Sequence, residues 1–320
     1  MSLDSLKHKA QQLDKKIAVK TASQVVDAWV ENELKIRNNP MITGFKVFDE
    51  DLRNNLRGKL GIFAGYGGSK KSLYALNLSC HNAFMQTGKA IYSTMEMSSV
   101  NLLDRMIDFQ YGNHKGQRAT EYFRSTLSEE SKKEVKQFLE SGLSDYYGDR
   151  LLISQQSRMK PDDYRKLLDA TIEEHGEINT LIVDGLSMMG GDGSEVEVYS
   201  ENTAALKEIA NEYNIFVGLI AHLSKGLEID TRDVRSHIRG SQKIMDNCDF
   251  VMMFSLIREQ GFETLEVNKD IGFIRLYNKR GTGNTIDCIY NFNQDRLLLE
   301  QSEADPRMYP EMKEEKKSKW

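Results

Sequence analysis

The chain is poor in cysteine: Cys80, Cys248 and Cys288 are the only three among 320 residues. They are too few for a disulfide framework and too scattered for a zinc ligand set, which fits a reducing compartment and thiols that serve as small core residues. Long apolar runs are missing too. No stretch of eighteen or more apolar residues occurs, and the opening "MSLDSLKHKAQQLDKK" has no apolar signal core. Neither a membrane span nor export is indicated, so the cytoplasm is the expected location. An excess of basic charge is also absent. The formal net charge of −5 excludes a surface that coats nucleic acid broadly and leaves room only for a local basic lining in a groove or pore. No internal repeat is found.

The hydrophobic content, 39% of 320 residues, is enough for a sizeable core. Residues 1–20 are polar and lysine-rich, whereas 21–38 place Val25, Val26, Ala28, Trp29, Leu34 and Ile36 near one helical face. This predicts an arm ending in an amphipathic helix, which packs either on its own domain or on a neighbouring subunit. From about residue 40, apolar runs alternate with helical patterns, the signature of a mostly parallel sheet flanked by helices. Strands are expected at 60–64, 90–95, 151–154, 180–184, 216–221, 250–255, 273–278 and 285–292. Helices are expected at about 71–86, 98–111, 119–141, 162–175, 200–213 and 240–247. Residues 256–270 read as a connecting hairpin or loop. The charged tail from Ser302 reads as disordered. The expected division is an arm at 1–40, one α/β domain at 41–300 and a tail at 301–320.

The segment "GYGGSKKS", residues 65–72, lies between a strand and a helix. A phosphate-binding loop needs that setting, because consecutive backbone N–H groups and a helix N-terminus must face the phosphates. Gly65 opens the turn, Gly67 and Gly68 keep it open, and Ser69 and Lys70 complete it. Lys71 can reach the β- and γ-phosphates of ATP, and Ser72 can ligate Mg²⁺. Lys70 stands where the motif GxxxxGK[ST] has its second glycine. A helix start allows it a right-handed backbone with the ammonium directed to solvent or phosphate, so altered affinity or rate is expected rather than a destroyed site. Two further strand ends carry acids. "TLIVDG" ends on Asp184, placed to hold Mg²⁺ through water, with helix capping as the structural alternative. "STMEMS" presents Glu96, suited to orienting or deprotonating a water, with a solvated loop glutamate as the alternative.

Six segments in order carry a resemblance: "TGFKVFDEDLRNNLRGKLGIFAGYGGSKKS", "AIYSTMEMSSVNLLDRM", "TLIVDGLSMM", "FVGLIAHLSK", "RGSQKIMDNCDFVMMF" and "RLYNKRGTG". Over residues 42–295 they resemble the successive motifs of the DnaB-like hexameric replicative helicases, including those of phages. The resemblance implies a RecA-like P-loop NTPase core that uses ATP and Mg²⁺. It also implies assembly into a homo-oligomeric, hexameric ring on single-stranded DNA, with a primase or another replisome protein as partner. It makes Glu96 the catalytic base, Asp184 the magnesium residue and His222 the sensor of the γ-phosphate. Arg280 matches the arginine finger supplied to the neighbouring subunit's nucleotide. Lys279 is the reserve, since the family's lysine lies two residues before the arginine, where this chain has Asn278. Lys225, Arg232, Arg235, Arg239 and Lys243, in "KGLEIDTRDVRSHIRGSQK", would contact the DNA backbone, and the loop "GGDGSEVEVYSEN" would also face the pore. The departures from the pattern are Lys70, the short arm in place of a primase-interacting domain, and the long helical segment 112–150.

Two other readings share the same fold. One is a RecA-like strand-exchange recombinase. The other is a nucleotide-dependent loading or assembly factor, made plausible by the chain's size and by Lys70.

Overall fold

The computed structural model describes residues 26, 30, 31, 33, 34, 36–85, 88–116, 118, 128–138, 140, 141, 150–223, 241–260 and 265–306. The chain divides after Pro40 into two compact units. In the first, the described positions up to Asn38 are helical, and Val26, Val30 and Leu34 are exposed.

The second unit is built on one nine-stranded sheet. Its strands are β1 (Leu60–Gly65), β2 (Lys89–Thr94), β3 (Leu151–Gln155), β4 (Ile178–Asp184), β5 (Phe216–His222), β6 (Phe250–Gln260), β7 (Leu265–Asn278), β8 (Thr285–Asn293) and β9 (Leu298–Gln301). They lie in the order β3-β2-β4-β5-β1-β6-β7-β8-β9. The first six in that order are mutually parallel, and β7, β8 and β9 continue as an antiparallel wing. The helices are α1 (Lys46–Asp51), α2 (Lys71–Met85), α3 (Ser99–Lys115), α4 (Glu129–Phe138), α5 (Pro161–His175), α6 (Glu195–Tyr213) and α7 (Ser241–Asn247).

The central strands are near-continuous apolar runs because both of their faces are covered. Alternate side chains go to opposite layers. Phe63, Tyr92, Ile182, Ile220 and Phe254 pack with Leu73, Leu76 and Ala83 of α2. Their strand neighbours Ile62, Ile91, Leu181, Val183 and Leu219 pack with Tyr164 and Leu168 of α5 and with Leu206 and Ile209 of α6. This is the α/β core, a mostly parallel sheet flanked by helices. All three cysteines are buried.

Residues 256–260 and 265–270 extend β6 and β7 as paired strands, with a register shift between Leu256 and Ile257, so of the hairpin and loop readings the hairpin holds there. The structure departs from the sequence reading in two places. The short β9 has no counterpart among the expected strands; it pairs with β8 through Phe292 and Leu299. Residues 195–199 are helix rather than loop. α6 starts at Ser194, whose hydroxyl accepts from the Glu197 amide while the Glu197 carboxylate accepts from the Ser194 amide. The expected helix at 119–141 is described in part, as α4, and most of the tail from Ser302 lies outside the described residues.

A buried ion pair ties the helical layer to the amino-terminal edge of the sheet. Lys207 of α6 meets Asp249 Oδ2 at 2.8 Å, with side chains 13% and 12% exposed. The same oxygen accepts from the Leu60 amide at 2.7 Å, and the Lys207 ammonium also donates to the Gly58 carbonyl at 2.7 Å. Removing one partner strands a charge that is already desolvated. Lys207→Met is therefore expected to lower unfolding stability by about 3 kcal/mol, read as a lower urea midpoint at unchanged slope. A change within about 0.5 kcal/mol would remove the pair from the fold's supports.

Candidate nucleotide site

Strand register brings the predicted residues to one edge. Thr94 of β2 pairs with Asp184 of β4, Asp184 with Ile220 of β5, and His222 with Gly65 of β1. The carboxyl ends of four parallel strands thus lie side by side, where ligands of open α/β sheets bind. The loop from Gly65 to Lys70 leaves β1 at this edge and runs into α2. A Cβ on Gly65 would sit 2.4 Å from Ser69 Oγ and 2.7 Å from the Phe254 carbonyl, so only glycine fits there. A Cβ on Gly67 or Gly68 would meet nothing within 4 Å, so the loop stands clear of protein at those positions.

Lys71 is buried and donates from its ammonium to the Tyr66 carbonyl at 2.9 Å. Burial lowers its pKa below the ordinary lysine value, while the carboxylates of Asp184 and Glu96 oppose the shift. An ammonium in that state gains from a phosphate beside it. Asp184 is buried as well, and burial raises its pKa against the hydrogen bond from Tyr92. That bond, from Tyr92 Oη to Asp184 Oδ2, is 2.8 Å, and the same hydroxyl lies 3.4 Å from the Ser72 carbonyl. Asp184 Oδ1 is buried and accepts no hydrogen bond among the described residues. A buried carboxylate oxygen left open near the Ser72 end of the loop suits an Mg²⁺ site formed with Ser72. Tyr92, missed in the sequence, joins the two. Its only local signal is an aromatic residue two places before the end of β2, on the face that packs against α2.

Glu96 follows β2 and lies over Gly185, where a Cβ would come within 3.3 Å of Glu96 Oε1. Its carboxylate meets His222 Nε2 at 3.2 Å, with side chains 33% and 37% exposed. The hydrogen bond from His222 is the largest influence on Glu96 and holds its carboxyl below the ordinary glutamate value.

Lys70 is a correction. Its backbone is left-handed, with φ 68°, not right-handed. The position is one that glycine occupies freely, and lysine pays about 1 kcal/mol to adopt it. Its ammonium stands over the Phe292 ring, 4.1 Å from the centroid. A contact of that kind contributes roughly 0.5–2 kcal/mol, of the same size as the backbone cost.

Arg280 and Lys279 lie at the opposite end of the sheet. Asn278 pairs with Phe250, and Phe250 with Gly61, so this end is separated from Gly65 by four residues of β1, about 13 Å. Both side chains are exposed, and both rest on the C-terminus of α7. Arg280 Nη2 donates to the Asp246 carbonyl at 2.8 Å. Lys279 Nζ donates to the Met245 carbonyl and to Asp246 Oδ1, each at 2.6 Å. Asn278 is buried and donates to Asp51. Lys243 is exposed on α7, whereas Lys225, Arg232, Arg235 and Arg239 lie outside the described residues.

The model of the DnaB-like helicase C-terminal domain matches residues 41–297. The chain belongs to that family. It is 27% identical to the replicative DNA helicase DnaB of Rickettsia bellii over 265 residues, covering 75% of this chain and 50% of the relative. It is 23% identical to a probable replicative DNA helicase of Guillardia theta, covering 71% and 38%. The chain thus spans half or less of these curated relatives. Among solved structures, the ATPase domain of G40P aligns with a TM-score of 0.70 at 14% identity, over 89% of this chain and all of that one. A DnaB-like replicative helicase described with its interactions with primase aligns at 0.70 and 15% identity, over 92% of this chain and 71% of that one. A KaiC-like protein of Pyrococcus horikoshii aligns at 0.54 and 12% identity, over 82% and 98%. These likenesses establish the RecA-like fold of this family member.

The Glu96–His222 contact yields a pH prediction. A carboxyl with a depressed folded value contributes stability that is present above its unfolded pKa and lost as pH falls through the depressed one. His222→Ala is expected to move the Glu96 titration upward, toward the ordinary glutamate range, as followed by carbon-13 NMR of labelled glutamate. An unmoved midpoint would mean that His222 does not set the charge of Glu96.

Proposed function

We propose that the chain is the ATP-hydrolysing, Mg²⁺-dependent motor of a replicative DNA helicase. It assembles into a hexameric ring, translocates on single-stranded DNA and separates the duplex ahead. Residues 41–300 are the motor, and 1–40 are its arm. The observation that carries this reading is the alignment of Lys71, Asp184, Glu96 and His222 along one strand edge while exposed Arg280 stands at the other. That layout keeps Arg280 away from the nucleotide loop of its own copy, which supports a finger supplied by a second one.

In this mechanism Lys71 exchanges the Tyr66 carbonyl for the β- and γ-phosphates. Ser72 and Asp184 would hold Mg²⁺, which supplies charge neutralisation at the phosphate oxygens. Glu96 orients the attacking water and accepts its proton. His222 exchanges Glu96 for the γ-phosphate and so reports its loss to the DNA-facing segments, where Lys225, Arg232, Arg235, Arg239 and Lys243 contact backbone phosphates. Arg280 from the adjacent subunit stabilises charge on the transferring phosphoryl group. A primase or another replisome protein is the expected partner, and the cytoplasm the expected location. The described residues contain no helix long and apolar enough to cross a membrane.

The test is DNA-stimulated ATP hydrolysis and strand displacement by the purified chain. Glu96→Gln is expected to lower turnover by about 10² or more while ADP still binds, and Lys71→Ala to abolish nucleotide binding. Turnover by Glu96→Gln at the parent rate would dismiss Glu96 as the base. Filaments that pair homologous strands would indicate the recombinase instead, and DNA binding without turnover the loading factor.

Arg280→Ala is expected to lose about 10³ in turnover with rings intact. Mixing it with Lys71→Ala subunits should restore activity, because each variant supplies what its neighbour lacks. Mixtures as inactive as their components would end the finger assignment.

A further inference from the structure

Strand β8 reaches the phosphate loop at two successive positions of the same face. Tyr290 Oη lies 3.4 Å from the Ser69 carbonyl, and the Phe292 ring lies under the Lys70 ammonium at 4.1 Å. The wing is itself fastened to the helix that follows the loop. Asn77 of α2 donates to the Leu297 carbonyl at 3.0 Å and accepts from the Leu299 amide at 3.3 Å. Phe292 is buried, so its ring is a fixed surface and not a mobile cover. Lys70 occupies a left-handed turn that its side chain disfavours, immediately before the first residue of α2.

We propose that Phe292 is a positioning residue for nucleotide binding. Its ring holds the Lys70 ammonium and thereby keeps residue 70 in the left-handed turn, replacing by a side-chain contact the freedom that glycine gives other loops of this type. The outer antiparallel wing is thus part of the phosphate site although it touches no phosphate. The inference rests on the nucleotide reading above.

The experiment is a cycle on the full chain with four members: parent, Phe292→Leu, Lys70→Gly and the double variant. Two readouts are taken, ADP–Mg²⁺ affinity by calorimetry and amide hydrogen exchange of residues 66–72 without nucleotide. Phe292→Leu is expected to weaken ADP binding about fivefold and to speed loop exchange. Lys70→Gly is the background that lacks both the contact and the backbone cost that the contact offsets. Phe292→Leu added to the Lys70→Gly variant should change neither readout, even though thermal stability falls as before. Lys70→Met, which keeps the Cβ and removes the cation, should match Phe292→Leu and not add to it; it serves where Phe292→Leu folds poorly. Equal effects of Phe292→Leu in both backgrounds would reduce the ring to ordinary core packing and overturn the proposal. A loss of binding in Lys70→Gly would overturn it too, by showing that the ammonium itself engages phosphate. Loop exchange that follows the cycle while the parent binds no ADP would sink the nucleotide reading and leave the Lys70–Phe292 coupling standing.

Discussion

The ladder of parallel strands β2, β4, β5 and β1 is the constraint from which the site follows. Backbone hydrogen bonding fixes their register, and the register fixes which residues emerge together at the carboxyl edge. Lys71, Asp184, Glu96 and His222 come from different parts of the chain, and the ladder brings the strand ends that carry them to one edge. A slip of one residue in any of these strands would turn its apolar set from one helical layer to the other and carry its terminal polar residue out of the site. The burial of both faces therefore guards the chemistry as well as the fold.

Within that frame the polar residues are held in states that a ligand would relieve. Lys71 is desolvated and leans on a loop carbonyl, and Asp184 is desolvated with one oxygen bonded to Tyr92 and the other without a hydrogen bond among the described residues. Groups so placed are costly to the bare fold and are offset by the surrounding core. Tyr92 links the two halves because its hydroxyl sits between the Asp184 carboxylate and the start of α2.

Much of this is legible in the sequence, and the rest is hidden for physical reasons. The eight expected strands are found, the central ones because burial on both faces writes them as apolar runs, and Asp184, Glu96 and His222 are visible as polar residues at the ends of those runs. β9 is only four residues long and owes its existence to β8, so no local pattern announces it. The start of α6 is masked by the glycines before it, although Ser194 and Glu197 have capping-box spacing. Lys70 escapes a local reading because its conformation depends on Phe292, a contact between residues far apart in sequence that no local propensity encodes. Asn278 can be read only as a departure from the family pattern; the fold shows it committed to Asp51.

The resting place of Arg280 and Lys279 has a consequence for the unassembled molecule. Both cations lie against the carbonyl end of α7, where Arg280 donates to the Asp246 carbonyl and Lys279 to the Met245 carbonyl and the Asp246 side chain. A solitary copy is thus electrically content at that surface and, on the motor reading, has no way to fire its own charge of fuel. Closure of the ring would then act as the safety catch, so that copies adrift in solution leave the cellular nucleotide pool untouched.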